Sequence, residues 1–531
     1  MSELVLKAVD ERGRPLSKEY LETLYFSTLD YEPFRNSILN VSVGEGCASF
    51  TPPSEPFQAS MLMSVKGFGT VYVYADDEGE GFTGGEGEID FVLEAARARL
   101  AKVRRWIGEQ EPSGFAASSA VAEKLNEAER LLDEAKGAQT GSEKRSAAAV
   151  ASLRDSLLAG EVVVFEKARQ DVAKMGWREG FLFGAAMGRP PVARKDELYA
   201  GLLNYATVML HWARFEPVQG QKDWQAKDEL VTWLQQNRIT AKGHPLLWLY
   251  PLGVPEWIWN AKPNYETLKV LVRGFANDIV TRYRDSIRIW DVINEAHDWG
   301  NIFGYSPEQI LELTDLMCRT TREAQPDSIR VINSVLLWGQ YVASERRNEQ
   351  RRLLSTRLAR PYSRRLMTPY AYLRRCVKAN IDFEVIGVQL YNPPQDMLEI
   401  SLMLDRFARF GKPVHVTEIG VSSLTIPPEL DPKANDRMEE EYWCRFRNEW
   451  HGPWNEDVQT DWLEQFYTLC YSKPYITAVT NWELDDLHGG GLVHHSGFVR
   501  ADLTPKKSYR RLENLIAQWN SMKPGNPGPP Q

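Results

Sequence analysis

Cysteine is scarce in this sequence and never occurs at the spacing of a metal site. The five cysteines, Cys47, Cys318, Cys376, Cys444 and Cys470, lie far apart and form no Cys-x-x-Cys motif. A zinc site or a dense disulfide framework needs closely spaced cysteines. The sequence therefore predicts no metal site and at most two disulfide bridges, and nothing in it suggests a bound cofactor.

The sequence also lacks long apolar runs and an excess of basic residues. No run approaches the roughly 18 apolar residues that a membrane-spanning helix requires. The formal net charge is −9, which argues against nucleic acid and anionic membranes as main partners. The start, MSELVLKAVDE, has no charged n-region and no apolar h-region. We expect a secreted or periplasmic protein if a signal was trimmed, and a cytoplasmic one if Met1 is the native start.

Local patterns divide the 531 residues into four parts, because so long a chain exceeds one ordinary domain. Residues 1–95 contain short alternating apolar runs between turn signals, which predicts a β-sandwich accessory domain. Residues 96–176 have helical periodicity and are interpreted as a helical spacer or hairpin. Residues 177–520 alternate strand-like and helical segments. Residues 521–531 form a Pro/Gly-rich tail that we expect to be disordered. The oligomeric state is left open.

The task of the β domain is open between two hypotheses. Phe68, Tyr72, Tyr74 and Phe82 could form an exposed aromatic platform, as in a carbohydrate-binding module. The alternative is a purely structural accessory domain.

The third part has the pattern of a (β/α)8 TIM barrel, an α/β fold. Eight apolar runs alternate with helical segments such as 265–284 and 306–324. Almost every run ends in a polar or aromatic residue, which is typical of strands that share a cleft. The expected strands are 181–186, 204–210, 238–243, 287–293, 329–333, 385–391, 413–418 and 476–482.

Two of these strands end in glutamate. Glu295 follows the run at 287–293, and Glu418 closes the run at 413–418. Their separation, 418 − 295 = 123 residues, leaves room for about three βα units of roughly 30 or more residues each. Glutamates on strands three apart would face each other across the barrel mouth. Paired carboxylates in one cleft are the groups that glycoside hydrolysis needs.

Three motifs lie at the ends of expected strands: GHPLLW at 243–248, WDVINEA at 290–296 and VTEIG at 416–420. Together they resemble family 10 of the glycoside hydrolases, the family of endo-β-1,4-xylanases. WDVINEA at 290–296 resembles the acid/base motif of that family, and VTEIG at 416–420 resembles its nucleophile motif. GHPLLW at 243–248 is similar to the family's Gly-His-Thr-Leu-Val-Trp stretch. The resemblance runs over about residues 180–515.

The resemblance implies roles for the strand-end residues. Glu295 would be the general acid/base, and Asn294 would hold the 2-hydroxyl of the sugar. Glu418 would be the nucleophile of a double displacement with net retention, which requires carboxyl groups about 5–5.5 Å apart.

Further substrate-binding residues follow from the same resemblance. His244 and Trp248 would line the subsite where the bond breaks, and Trp482 would stack under that sugar. Gln389 and Tyr391 stand where the family has Gln-Ser-His. Tyr391 would replace the family's histidine and donate its phenol to an ionised Glu418.

The second strand departs from the family pattern. The family's Glu-Asn-x-Met-Lys-Trp is replaced by residues 207–212, TVMLHW, so that His211 and Trp212 are the candidate sugar contacts there. After the third strand the family's His-Ser-Gln is replaced by residues 249–251, LYP. A site that lacks hydrogen-bonding groups cannot discriminate by them, and we expect a changed specificity.

We therefore expect a retaining endo-acting glycoside hydrolase whose partner is a polysaccharide or oligosaccharide such as β-1,4-xylan. Endo and exo action are not distinguished. One alternative is a relative from the larger clan of glycoside hydrolase families that includes family 10, which would cut a different or decorated β-glycan. Another is a non-catalytic barrel that binds sugar or inhibits other enzymes. Deletion of residues 1–95 should spare activity on soluble oligosaccharides unless the β domain completes the cleft.

Two charged clusters are interpreted as structural. The arginine-rich stretch 346–365 is expected to be a solvated surface, with recognition of an acidic sugar as the alternative. Asp485, Asp486 and His488 resemble a metal cluster in composition, but no other ligand lies within sequence reach, and we expect hydrogen bonding in a loop.

Overall fold

The protein folds as a closed barrel joined to an accessory region of two small sheets and three long helices. The computed structural model describes residues 3–84, 87–190, 194–250, 253–261, 263–297, 300–301, 303–345, 367–424, 449–486 and 495–525. The arginine-rich stretch, His488 and residues 526–531 of the predicted tail lie outside the described residues.

Two sheets lie where the β-sandwich is predicted. One is four-stranded with the order β3-β4-β1-β7, in which β1 and β7 are parallel, and the other has the order β2-β5-β6 and is antiparallel. The elements are β1 (Leu4–Lys7), α1 (Lys18–Leu21), β2 (Tyr25–Thr28), β3 (Ser42–Val43), β4 (Cys47–Phe50), β5 (Phe57–Val65), β6 (Gly69–Ala75) and β7 (Gly87–Asp90).

The structure contradicts the first of the two hypotheses for this domain, the exposed aromatic platform. Phe68, Tyr72 and Tyr74 are buried, and Phe82 is half-buried with its ring against Phe57. Alternation along a strand cannot show which face a second layer covers. In this protein both faces of β6 are covered, so its aromatic side chains contribute to the core.

The helical part consists of three helices rather than a hairpin: α2 (Phe91–Gln110), α3 (Ser119–Gly137) and α4 (Glu143–Met175). The residue before each helix caps it with a side chain that accepts a backbone N–H of the first turn: Asp90, Ser118 and Ser142. In α3 the apolar residues recur at helical spacing and all face the core, namely Val121, Leu125, Ala128, Leu132 and Ala135.

The predicted (β/α)8 barrel is confirmed. Eight strands pair in parallel in chain order, and the last pairs back with the first. They are β8 (Leu182–Met187), β9 (Tyr205–Met209), β10 (Thr240–His244), β11 (Ile287–Asn294), β12 (Ile329–Ser334), β13 (Val385–Tyr391), β14 (Val414–Gly420) and β15 (Ile476–Asn481).

The described helices of the barrel region lie between and after these strands. They are α5 (Arg194–Leu202), α6 (Trp212–Phe215), α7 (Trp224–Gln236), α8 (Glu256–Ala261), α9 (Tyr265–Tyr283), α10 (Pro307–Ala324), α11 (Gln340–Ser344), α12 (Pro369–Lys378), α13 (Met397–Ala408), α14 (Glu456–Ser472) and α15 (Lys507–Ser521). No helix in the described ranges is long and apolar enough to cross a membrane.

The accessory region packs directly against the barrel. Gly69 in β6 forms an antiparallel bridge with Trp450, and the backbone N–H of Thr70 donates to the carbonyl of Glu449 at 2.9 Å. On another side, the N–H of Asn36 donates to the carbonyl of Ala343 at 2.9 Å. The accessory region is therefore fixed to the barrel by backbone as well as side-chain contacts.

Candidate active site

Glu418 lies in β14 at the mouth of the barrel and is held by two donors. Its carboxylate accepts from Asn333 Nδ2 at 2.8 Å and from the Tyr391 hydroxyl at 2.6 Å, one on each oxygen. Only 4% of the residue is exposed. Two donors, one on each oxygen, fix the orientation of this buried carboxylate. The structure thus places the Tyr391 hydroxyl where it can orient Glu418.

Glu295 directly follows β11 and has a left-handed backbone, with φ +54°. This conformation is uncommon for a residue with a side chain and often marks a functional position. The Glu295 N–H donates to the carbonyl of Asn333 at 2.9 Å, and its carboxylate accepts from Trp248 Nε1 at 3.0 Å. Glu295 is 6% exposed.

An amide network connects the strands that carry the two glutamates. Asn333 Nδ2 donates to Asn294 Oδ1 at 2.9 Å as well as to Glu418, and Gln389 Nε2 donates to the same Asn294 oxygen at 3.1 Å. Thr417 Oγ1 donates to Asn333 Oδ1 at 2.5 Å. Sequence reasoning missed Asn333, although the residue stands at a predicted strand end, where polar groups face the cleft.

His244 is set between a buried aspartate and Glu418. Its Nδ1 lies 2.6 Å from Asp291 Oδ2, to which Lys242 Nζ also donates at 2.7 Å. Burial alone would raise the pKa of Asp291, but the charge of Lys242 and the bonds from Lys242 and His244 hold it below its usual value. An ionised Asp291 fixes the proton on Nδ1 and turns Nε2 toward Glu418 Oε1, 3.8 Å away.

Aromatic rings surround His244. The ring of His211 lies 5.5 Å from Trp248 and 5.9 Å from His244, and the ring of Trp482 lies 5.4 Å from His244. Tyr250 stacks on Trp248 at 4.9 Å. Burial, reinforced by the nearby positive charges, lowers the pKa of His211 to about 3. His211 is therefore a neutral donor or acceptor at the edge of the site.

The structure places Trp212 elsewhere. It is 3% exposed, stacks on Phe275 at 4.5 Å, and donates from Nε1 to Glu216 at 2.8 Å. Its ring therefore packs between α6 and α9, away from Glu295 and Glu418. The sequence places Trp212 at a strand end but does not show that the short helix α6 begins there and turns the side chain inward.

A third carboxyl group follows Trp482. Burial and the neighbouring Asp485 raise the pKa of Glu483 to about 7, although Lys195 acts in the opposite direction. Asp485 is ion-paired with Lys195, and Asp486 with Lys506. Among the described residues no group of three or more histidine, cysteine, aspartate or glutamate side chains is arranged to hold a metal ion.

Comparisons with known proteins find relatives of similar sequence. Endo-1,4-beta-xylanase C of Paenibacillus barcinonensis is 27% identical over 318 residues, which cover 55% of this chain and 27% of that protein. Endo-1,4-beta-xylanase 3 of Hypocrea jecorina (strain QM6a) is 30% identical over 193 residues, 35% of this chain and 55% of that protein. The chain thus spans 27% and 55% of the length of these curated relatives.

Solved structures are more distant. The crystal structure of xylanase 10B from Thermotoga petrophila RKU-1 in complex with xylobiose is 18% identical, with a TM-score of 0.47, and the match covers 67% of this chain and 98% of that one. The model of glycosyl hydrolase family 10 matches residues 178–512, which is more than half of the sequence. This chain belongs to glycosyl hydrolase family 10.

Proposed function

We propose that the protein is a retaining glycoside hydrolase that cuts internal bonds of β-1,4-xylan or a related β-glycan. The observation that carries the proposal is the pair Glu295 and Glu418, on the fourth and seventh barrel strands, joined through Asn294 and Asn333. The names of the curated relatives, all endo-1,4-beta-xylanases among those described above, support xylan as the substrate.

The two carboxyl groups have different partners, which suits different tasks. Glu418, with two donors, is the nucleophile that attacks the anomeric carbon and forms a glycosyl-enzyme ester. Glu295 gives its proton to the departing glycosidic oxygen. Glu295 then takes a proton from water, which attacks the anomeric carbon and releases Glu418. Two inversions at one carbon give a product with the original anomeric configuration.

Asn294 is oriented to bind the sugar. Because its Oδ1 accepts from both Asn333 and Gln389, the amide offers Nδ2 as the donor to the 2-hydroxyl, a contact that strengthens in the transition state. His244 and Trp482 line the same subsite, and His211 and Trp248 extend it. Tyr391 keeps the nucleophile aligned through its hydrogen bond to Glu418.

A second candidate is a different or decorated β-glycan. His211, half-buried and neutral, is the polar group offered to the neighbouring sugar by the strand end at 207–212. A single neutral ring discriminates less strongly than several charged and amide groups. We therefore include other β-glycans in the test.

The test is a screen for reducing sugar released from xylans, glucans, mannans and galactans, with NMR of the anomer formed first. We expect hydrolysis of a β-glycan with retention, and no measurable hydrolysis by Glu418→Ala at unchanged thermal stability. An active Glu418→Ala variant, or an inverted product, would overturn the assignment of the nucleophile.

The acid role of Glu295 has a separate signature. We expect Glu295→Gln to lower kcat about 100- to 10,000-fold on substrates with poor leaving groups and much less on activated aryl glycosides, which need no proton. The exposed Glu323 on α10 supplies the control substitution Glu323→Gln, which should leave both rates unchanged. Equal losses on both substrates would contradict an acid role.

A further inference from the structure

Tyr391 is followed by a segment, residues 392–397, that we name the Tyr391 loop. Its first residue is tied to the strand that carries Glu418: the N–H of Asn392 donates to the carbonyl of Gly420 at 2.8 Å, and its Oδ1 accepts from the N–H of Ser422 at 2.9 Å. The loop ends where α13 begins. The barrel thus fixes only the start of the Tyr391 loop by these bonds.

The accessory region holds the rest of the loop at three points. The N–H of Tyr72 in β6 donates to the carbonyl of Pro394 at 2.7 Å. Arg99 Nη2 in α2 donates to Asp396 Oδ1 at 2.6 Å, and Glu161 Oε1 in α4 accepts from the N–H of Met397 at 3.2 Å. Each point comes from a different accessory element.

The Arg99 contact is an ion pair enclosed in the interior. Arg99 and Asp396 are both buried, and Asp396 also caps α13 by accepting from the N–H of Leu398 at 3.0 Å. Gly160 in α4 makes room for the guanidinium, since a Cβ there would lie 2.5 Å from Arg99 Nη2. Removal of one partner of such a pair leaves the other charge buried and uncompensated.

Arg99 also contacts a second buried carboxylate, that of Glu399. Glu399, one turn into α13, accepts from Arg99 Nη1 at 3.3 Å, from Lys102 Nζ at 2.8 Å and from the Tyr31 hydroxyl at 2.6 Å. Burial raises the pKa of Asp396 to about 6 even though Arg99 acts to lower it. Arg99 thus lies between two carboxylates at the first turn of α13, where the Tyr391 loop ends.

We propose that Arg99 of the accessory region is a positioning residue for catalysis, which through Asp396 and the Tyr391 loop keeps the Tyr391 hydroxyl on Glu418. The inference rests on the proposed role of Glu418 as nucleophile. The accessory region is then part of the catalytic unit, although it contributes no group that touches the sugar.

A double-mutant cycle in the full chain tests this inference. Arg99→Met, Tyr391→Phe and the double variant are assayed on the soluble oligosaccharide that the wild-type protein cleaves. We expect Arg99→Met to lower kcat about tenfold or more with a change in KM below about threefold, and the double variant to lose no more than Tyr391→Phe alone.

Two control variants distinguish a positioning role of Arg99 from a role that only holds the accessory region on the barrel. Arg99→Lys keeps the charge and should restore most of kcat. The second control, Glu32→Gln, changes a contact between the accessory region and the other half of α13, where Arg406 Nη2 donates to Glu32 Oε1 at 2.6 Å. This variant should leave kcat unchanged. Additive losses in the cycle, or equal losses in Glu32→Gln and Arg99→Met, would overturn the proposal.

Hydrogen exchange gives a readout that does not depend on hydrolysis. Arg99→Met should speed amide exchange within residues 392–397 more than in β13 and β14, and unchanged exchange there would overturn the proposal. If Arg99→Met does not fold, Asp396→Asn takes its place in both experiments. A wild-type protein that cleaves no glycan would contradict the proposed function, while exchange would still decide whether Arg99 fixes the loop.

Discussion

Asn333 shows how much of the site depends on one amide. Its Nδ2 is shared between Asn294 and Glu418, and its Oδ1 is held by Thr417. The glutamates can be predicted from sequence because a carboxylate directly after an apolar run has no place in a dry core. An asparagine at a strand end is also a common cap or turn residue, so its type alone does not distinguish Asn333.

We expect Asn333→Ala to lower kcat/KM about 10- to 100-fold, since a hydrogen bond to a charged group contributes about 1.5–3 kcal/mol. Steady-state kinetics on the substrate found by the screen measure the loss. Thr417→Val, which removes only the hydroxyl that holds the Asn333 amide, should give a smaller loss in the same direction. A loss larger in Thr417→Val than in Asn333→Ala would contradict this order of roles.

Asp291 gives a second prediction at the scale of single residues. The ionised carboxylate sets the tautomer of His244, and Asn in its place could instead donate to Nδ1 and reverse that tautomer. We expect Asp291→Asn to lower kcat more than it raises KM. The ¹⁵N chemical shifts of the His244 imidazole should show that the proton has moved from Nδ1 to Nε2. An unchanged tautomer with lowered kcat would assign the loss to the unpaired Lys242 instead.

Among the elements, the barrel strands are the best predicted. All eight lie within about two residues of the expected runs, because a strand covered by helices on one side and by the barrel interior on the other is largely apolar. The direction of the Trp212 side chain cannot be predicted from the sequence. The helix α6, which begins at this residue, has only four residues, and so short a pattern shows no periodicity. The three accessory helices exceed the predicted hairpin, since a helical pattern alone does not specify how many breaks it contains.

The barrel interior also predicts how stability depends on pH. His415 in β14 is buried with its ring edge toward Tyr205, and burial together with the charge of Lys242 lowers its pKa to about 3. In the unfolded chain a histidine takes up its proton near pH 6.5. Acid therefore favours the unfolded state: this stabilisation is complete above about pH 6.5 and is lost as the pH falls toward 3.

For this histidine we expect the free energy of unfolding to fall by about 1.4 kcal/mol per pH unit below about pH 6.5. His415→Leu should remove that share of the slope, measured by denaturant unfolding at pH 7 and pH 5.5. His211, with a similarly lowered pKa, contributes its own share in both proteins. Identical slopes for wild type and variant would show that His415 does not take up its proton only on unfolding.

At the scale of the whole molecule, the sequence predicts separate parts but not how they are joined. Many of the contacts that join them pair residues about 300 or more positions apart, such as Tyr31 with Glu399 and Asp30 with Arg409. No local pattern encodes such pairs, because each partner has the appearance of an ordinary charged or polar surface residue. The structure consequently changes the expectation that deletion of residues 1–95 spares activity, since that deletion would remove Tyr72 and its bond to the Tyr391 loop.

The contact between β6 and residues 449–451 tests this union without deleting a domain. Gly69 has φ +131°, and a Cβ at this position would collide with the carbonyl of Glu449. We therefore expect Gly69→Ala to lower the free energy of unfolding by about 2 kcal/mol or more, through backbone strain and the displaced strand contact. Gly108, inside α2 with open space around it, provides the matched control: Gly108→Ala should stabilise by about 0.5–1 kcal/mol. Thermal unfolding of both variants should show one cooperative transition. A Gly69→Ala variant as stable as the wild type, or one with a separate early transition for the accessory region, would mean that the two parts are not one folding unit.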